Sequence, residues 1–164
     1  MTNAPETVPA HDRAALFARF DAMGIATKTI EHEAVHTVEQ SSRTHRELAG
    51  AHTKNLFVKD KKGRVFLVVV PALARVDLKA LHKVIGAQGR LSFGRADQLW
   101  VLLGVRPGSV TVFGAINDEG GLVTVVLDRE IAEAEIVCGH PLENTATTAI
   151  GQADLRRFLQ ACDH

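Results

Sequence analysis

The stretch TKNLFVKDKKGRVFLVVV, residues 53–70, contains two apolar segments separated by a short polar one. Polar and apolar side chains mix along residues 53–59, whereas residues 65–70 are continuously apolar and rich in valine. The intervening Asp60-Lys61-Lys62-Gly63 is typical of a turn. We therefore predict two consecutive strands, of which the second is buried in a sheet.

Helical and extended patterns alternate on both sides of this strand pair. Glycine ends most of the predicted helices, and Asp12 and Asp77 are suited to capping two of them. Helices are predicted over residues 12–24, 37–50, 77–86, 95–104 and from residue 154, and further strands over 25–30, 122–127, 135–138 and 144–150. The order has no strict strand–helix–strand rhythm, so the prediction is an α/β or mixed α+β fold with a central mixed sheet flanked by helices.

Length and composition favour one domain over residues 1–164, with a loose polar tail at residues 1–10. The two cysteines, Cys138 and Cys162, form no CxxC pair and indicate no disulfide framework, so we expect a cytoplasmic protein. The longest apolar run, residues 65–74, is about half of what a membrane span requires and contains Pro71. No membrane partner is expected.

The net charge is zero, but the charges are unevenly distributed. Residues 43–64 contain seven Lys or Arg and two acids, whereas residues 117–143 contain seven acids and one Arg. This asymmetry is compatible with a polyanion binding to one face of a neutral protein. A basic turn and a solvated acidic edge would give the same pattern, so charge alone does not decide between them.

Residues 32–36, His-Glu-Ala-Val-His, match the HExxH motif of zinc peptidases. That chemistry requires a helix, because only there do positions i and i+4 direct both imidazoles at one metal ion. A strand-like segment leads into this motif and the predicted helix cap, Thr37, follows it. We therefore expect no metal site, and a zinc peptidase remains an alternative that metal analysis would test.

Three further features could bind a ligand. In the strand 53–59, alternation places Lys54 on the same face as Leu56 and Val58, so its ammonium group must reach an edge, a partner or a polar cavity. Residues 104–114 contain three glycines and one proline, a composition that can expose backbone N–H groups to an anion. His140 could contact a ligand or transfer a proton, although most lone histidines are structural.

Three segments, taken together in order and spacing, resemble the YbaK/ProX family of aminoacyl-tRNA editing domains. They are Gly50-Ala51-His52-Thr53-Lys54-Asn55-Leu56-Phe57, Gly104-Val105-Arg106-Pro107-Gly108-Ser109-Val110-Thr111 with Phe113-Gly114, and Gly139-His140-Pro141-Leu142-Glu143-Asn144-Thr145. The resemblance extends from about Val35 to the closing helix and is greatest to the stand-alone prolyl-tRNA editing type. One departure is Val112, where the family pattern has proline.

The resemblance implies hydrolysis of the ester that joins a wrong amino acid to the terminal ribose of tRNA. Lys54 would anchor the ester or the terminal nucleotide, Asn55 would orient it, and the backbone at Gly108 and Ser109 would stabilise the oxyanion. Thr111, Gly114 and His140 would bind the substrate. The reaction as implied needs neither metal nor cofactor, and the 2′-hydroxyl of the ribose would assist the attacking water.

The resemblance also implies the partners. We expect the acceptor end of aminoacyl-tRNA as substrate, prolyl-tRNA synthetase as an associated protein, and no DNA. Alanine on tRNA for proline is the expected target, because a synthetase pocket cannot easily refuse a smaller side chain. A deacylase for cysteinyl-tRNA and a non-catalytic module that binds tRNA or a synthetase are the alternatives.

Overall fold

The computed structural model describes residues 8–34 and 38–164. Six α-helices, seven strands and one 3₁₀ helix occur in these ranges. In chain order they are α1 (Arg13–Ala22), β1 (Thr27–Glu31), α2 (Val38–Glu47), β2 (Ala51–Lys59), β3 (Val65–Pro71), α3 (Leu78–Val84), β4 (Ser92–Phe93), α4 (Ala96–Leu103), the 3₁₀ helix (Val112–Asn117), β5 (Val123–Leu127), α5 (Arg129–Glu133), β6 (Ile136–Gly139), β7 (Ala146–Gly151) and α6 (Gln152–Ala161).

The strands form a mixed sheet in the order β1-β7-β6-β2-β3-β5, and the short β4 pairs with β2. Strand β2 is antiparallel to β3 and parallel to β6, and β3 is parallel to β5. The predicted mixed sheet flanked by helices is therefore confirmed.

The β2–β3 hairpin carries apolar side chains into both faces of the sheet. Phe57, Leu67 and Val69 face the larger core, which also contains Phe20, Phe113 and Phe158 from α1, the 3₁₀ helix and α6. Val58, Phe66, Val68 and Val70 face a smaller core covered by the α3 region. A strand with both faces buried needs the continuous apolar run that residues 65–70 provide.

Local capping explains several element boundaries. The Asp12 side chain accepts a hydrogen bond from the Ala15 amide, and Asp77 accepts one from the Lys79 amide, as N-caps do. Gly104 ends α4 with φ of 66°, a left-handed conformation that favours glycine. The sequence patterns did not predict β4, the 3₁₀ helix or α5.

The amino-terminal segment is partly packed. Residues 1–7 of the predicted tail, which covered residues 1–10, lie outside the described ranges. Directly after the tail, the main chain of His11 exchanges two hydrogen bonds with the side chain of Asn117. Thr37, the predicted cap of α2, also lies outside the described residues. Within the described part of the chain, no helix has the length and apolar character needed to cross a membrane.

Candidate functional site

A small cavity lies where β6 ends beside β2. Its volume is ≈ 160 Å³, below the 300–1,000 Å³ typical of pockets for drug-sized ligands. Two of the predicted site residues, Lys54 and His140, contribute to its wall although they are 86 positions apart. The lining comprises Thr44, His45, His52, Thr53, Lys54, Ala72, Cys138, Gly139, His140 and Thr147.

Lys54 reaches the cavity from β2. Its Nζ donates a hydrogen bond to the carbonyl oxygen of Ala74, in the loop that follows β3. The side chain is partly exposed, and its aliphatic stem lies on the face of β2 that carries Leu56 and Val58. An ammonium group held in this way keeps further N–H donors for an anionic or carbonyl oxygen.

His140 is held in one orientation just after β6. Its Nδ1 lies 3.0 Å from the Ala146 carbonyl oxygen and donates to it, which leaves Nε2 as the ring atom for a ligand. Burial lowers the pKa of His140, and the nearby rings of His32 and His52 act in the same direction. A neutral imidazole with an available Nε2 lone pair can accept a proton or a hydrogen bond from water.

Two further histidines at this cavity were missed by the sequence reasoning. His45 of α2 and His52 of β2 stack with ring centroids 4.2 Å apart and planes 30° apart. The pKa of His45 is lowered by burial and then by the neighbouring His52. The sequence could have predicted a place for His52 at the site, because strand alternation puts His52 on the same face of β2 as Lys54. No comparable pattern connects His45 to the site.

The predicted oxyanion loop is a tight turn. The Ser109 amide donates to the Arg106 carbonyl oxygen at 2.9 Å, and Gly108 between them has φ of 91°. Proline at position 107 followed by glycine with positive φ is the signature of a type II turn. The Ser109 amide is therefore engaged in the turn, so the donors that remain for a ligand in this pair are the Gly108 amide and the Ser109 hydroxyl.

Gly108 also adjoins the loop that follows His140. A Cβ placed on Gly108 would lie 3.8 Å from Nδ2 of Asn144. The second and third segments of the family pattern, which are about 30 residues apart in sequence, thus meet in the fold. Gly108 and Ser109 are not among the described residues that line the ≈ 160 Å³ cavity.

Thr111 and Gly114 are not among the residues that line the cavity. Thr111 is fully buried and caps the 3₁₀ helix by accepting a hydrogen bond from the Phe113 amide. Gly114 packs against α4, where a Cβ would come within 3.0 Å of the Leu103 Cβ. Packing therefore explains why glycine is needed at position 114.

Asn55 points to the opposite face of the sheet from Lys54, because the two are consecutive in β2. Its Oδ1 is buried, and no hydrogen-bond partner for it exists among the described residues. A buried amide oxygen without a donor is uncommon and costs stability, which makes Asn55 a candidate for binding a group supplied by a ligand.

A cysteine nucleophile and the zinc site of a peptidase both disagree with the described geometry. Burial raises the pKa of the Cys138 thiol to about 11, so this cysteine is a poor nucleophile. His32 is not on a helix, and its ring nitrogens contact the Glu33 carbonyl oxygen and the Thr147 hydroxyl. His36 lies outside the described residues, and within the described part no cluster of three or more His, Cys, Asp or Glu could hold a metal ion.

The described geometry combines a lysine and a neutral histidine at a small cavity with a Pro-Gly turn next to the histidine loop. Comparison with protein families gives a match over residues 32–158 to the aminoacyl-tRNA editing domain, which includes each of these features. The chain belongs to this family of editing domains. It is therefore an aminoacyl-tRNA deacylase by family.

Relatives of this editing domain support the assignment. The prolyl-tRNA editing protein ProX of Acetoanaerobium sticklandii is 36% identical over 148 residues, covering 90% of each chain. A prolyl-tRNA synthetase associated domain-containing protein 1 of Danio rerio is 42% identical, covering 87% of this chain and 78% of its own.

The fold of the editing domain also has solved counterparts. A crystal structure described as a candidate trans-editing enzyme for prolyl-tRNA synthetase superposes with a TM-score of 0.69, covering 97% of this chain and 94% of that one. The two sequences are 16% identical, so this likeness concerns the fold alone.

Proposed function

We propose that this chain is a one-domain, cytoplasmic trans-editing hydrolase that removes alanine from mischarged tRNA for proline. The observation that carries the proposal is the convergence of Lys54 and a neutral His140 on one cavity of ≈ 160 Å³. A cavity of this size suits a small aminoacyl group but not a whole aminoacyl-adenosine, so the nucleotide would lie outside it. The name of the bacterial relative, a prolyl-tRNA editing protein, supports the choice of tRNA.

Lys54 acts on the ester in this proposal. Its ammonium group, positioned by the Ala74 carbonyl oxygen, donates to the ester carbonyl or to the terminal phosphate. Negative charge develops on the carbonyl oxygen as water attacks, and a preorganised cation in a small site stabilises that charge more than it stabilises the neutral ester. The Gly108 amide, in the turn beside the loop that follows His140, would be a further donor to the oxyanion.

His140 and the ribose share the proton transfer. With Nδ1 fixed to the Ala146 carbonyl oxygen, Nε2 accepts a hydrogen bond from the attacking water or from the substrate. The ribose hydroxyl beside the ester assists the same water. A terminal 2′-deoxyadenosine should therefore slow the hydrolysis, and an unchanged rate would exclude this role for the hydroxyl.

The direct test is deacylation of tRNA for proline charged with labelled alanine, cysteine or proline. Wild-type protein should release alanine fastest and leave proline in place. Lys54→Met keeps the aliphatic stem and should lower kcat/KM by about 10²–10³-fold, as expected for loss of one oxyanion donor. Lys59→Met, at the other end of β2, is the matched control and should stay near wild type.

Each other outcome has a defined meaning. Preferential release of cysteine would support the deacylase activity but identify cysteine, not alanine, as the amino acid that is removed. Equal activity of Lys54→Met and wild type would remove Lys54 from the mechanism. No hydrolysis of any of the three esters would favour a non-catalytic module that binds tRNA.

The proposal includes prolyl-tRNA synthetase as a partner. Its support is the name of the Danio rerio relative, a prolyl-tRNA synthetase associated domain-containing protein. Sedimentation of the two purified proteins with and without tRNA should reveal a joint complex. Separate sedimentation under both conditions would contradict the partnership without affecting the deacylase proposal.

A further inference from the structure

One edge of β2 is incompletely paired beside the cavity. On this edge β2 pairs with β6 through Ala51 and His52, and with β4 through Val58 and Lys59. Its other edge pairs with β3 along residues 53–59. Within the described ranges, residues 53–57 therefore have no strand partner on the β6/β4 edge.

The hydrogen bonds at both ends of the gap show which main-chain groups face it. The His52 carbonyl oxygen accepts from the Ala72 amide on the β3 side, and the Phe57 carbonyl oxygen accepts from the Gly94 amide on the β4 side. Main-chain groups of consecutive residues point to alternate edges of a strand. The N–H and C=O of Asn55, between these markers, thus face the gap.

The gap adjoins the proposed catalytic groups. Thr53 and Lys54 line the cavity on β2, and Gly139 and His140 line it at the end of β6. The Thr53 hydroxyl donates to the Cys138 carbonyl oxygen at 2.7 Å, which closes the gap at its β6 end. Asn55 does not line the cavity itself but is the next residue along the open edge, and its side-chain Oδ1 has no hydrogen-bond partner among the described residues.

We propose that the aminoacyl group of the substrate pairs with the main chain of Asn55 as a one-residue strand. The α-ammonium group donates to the Asn55 C=O, and the ester carbonyl accepts from the Asn55 N–H. This inference rests on the proposed function and adds to it the groups that recognise an α-amino acid.

The geometry of an amino acid favours this arrangement. An aminoacyl ester has the N–Cα–C=O order of a peptide residue, so its donor and acceptor match those of an unpaired strand edge. Paired in this way, the reacting carbonyl lies beside Asn55, the residue that follows Lys54, in the gap beyond the end of β6. Preorganised main-chain donors bind an oxyanion without the conformational entropy cost of a flexible side chain.

Proline scanning tests the edge without changing the substrate. Asn55→Pro removes an N–H that faces the gap, whereas Leu56→Pro removes one that pairs with β3. We expect Asn55→Pro to fold and Leu56→Pro to be strongly destabilised, measured by urea unfolding. Equal destabilisation of the two variants would show that the Asn55 amide is already used in the fold and would overturn the proposal.

Measurements of kcat/KM then distinguish the role of the Asn55 main chain from that of its side chain. Asn55→Ala removes the amide side chain but keeps the N–H, so Asn55→Pro should have a kcat/KM at least about tenfold below that of Asn55→Ala on alanyl-tRNA. Equal values in folded protein would overturn the pairing while the deacylase proposal stands. If wild type releases no amino acid, the proposed function itself is wrong.

Binding gives a readout that does not depend on turnover. Adenosine carrying alanine through a 3′-amide, in place of the ester, is added to ¹⁵N-labelled wild type. The Asn55 amide resonance should shift and its hydrogen exchange should slow on binding, whereas propionyl-amide adenosine, which lacks the ammonium group, should bind at least tenfold more weakly. Binding of the alanyl compound with the Asn55 amide unaffected would refute the inference.

Discussion

Asp118→Asn should destabilise the protein through a buried carboxylate remote from the proposed site. The Asp118 side chain follows the 3₁₀ helix and is 2% exposed. Its Oδ1 accepts from the Leu122 amide at 3.1 Å, and its Oδ2 accepts from the Val123 amide at 2.8 Å and lies 2.8 Å from His164 Nε2. One carboxylate thereby connects the start of β5 to the segment after α6.

The magnitude follows from the contact that an amide cannot make. Asparagine can place its one oxygen where Oδ2 lies, so it keeps the contacts with the Val123 amide and the His164 ring, but its NH₂ group then meets the Leu122 N–H where an acceptor is needed. A hydrogen bond to a charged group contributes about 1.5–3 kcal/mol, so losing the one to Leu122 costs roughly that much. For a chain of this length that corresponds to a decrease in Tm of roughly 3–12 °C.

The assay is urea unfolding followed by circular dichroism at constant pH, with Glu119→Gln as control. Glu119 is adjacent and acidic, but it is 73% exposed and contacts only the His11 ring at 3.4 Å among the described residues. Such a surface pair contributes about 0–1 kcal/mol. Equal unfolding free energies for the two variants would refute this account of Asp118. Deacylation per folded molecule should be unchanged in both.

Three further predictions concern the site and its surroundings. Because burial lowers the pKa of His140 below its ordinary 6.5, the unfolded chain takes up the proton first, and stability should decrease as the pH falls below 6.5. The kcat/KM should decrease only at lower pH, as the folded enzyme's own His140 becomes protonated. His140→Gln should reduce the pH dependence of stability measured by urea unfolding. Cys138, with a thiol pKa raised to about 11, should react with iodoacetamide roughly 100-fold more slowly at pH 8 than an exposed thiol and become reactive in urea; fast native labelling would contradict its burial. Lys61 and Lys62 are exposed at the turn end of the β2–β3 hairpin, roughly 20 Å from Lys54 along the strand. Changing both to glutamate should weaken tRNA binding and reduce its salt dependence without slowing hydrolysis of alanyl-adenosine, and an unchanged salt slope would place the tRNA elsewhere.

Part of the candidate site follows from the sequence pattern. Strand alternation alone placed Lys54 on the apolar face of β2, and the structure brings it to a cavity together with His140. The engagement of the Ser109 amide in a turn could not be anticipated, because composition indicates a Pro-Gly loop but not which of its N–H groups remain unused. The requirement for glycine at position 114 could not be anticipated either, because it depends on the close approach of α4, which no local pattern encodes.

Local chemistry determined most of the elements of this protein. The Asp12 and Asp77 caps, the turn at residues 60–63 and the apolar run 65–70 depend on interactions between near neighbours, so they can be read from the sequence directly. The tertiary structure decided the rest: the order of the strands, the stacking of His45 on His52, and the place where β6 ends and β4 begins along β2. These features depend on packing between residues far apart in the chain, and the gap that they leave at Asn55 exists only in the assembled sheet.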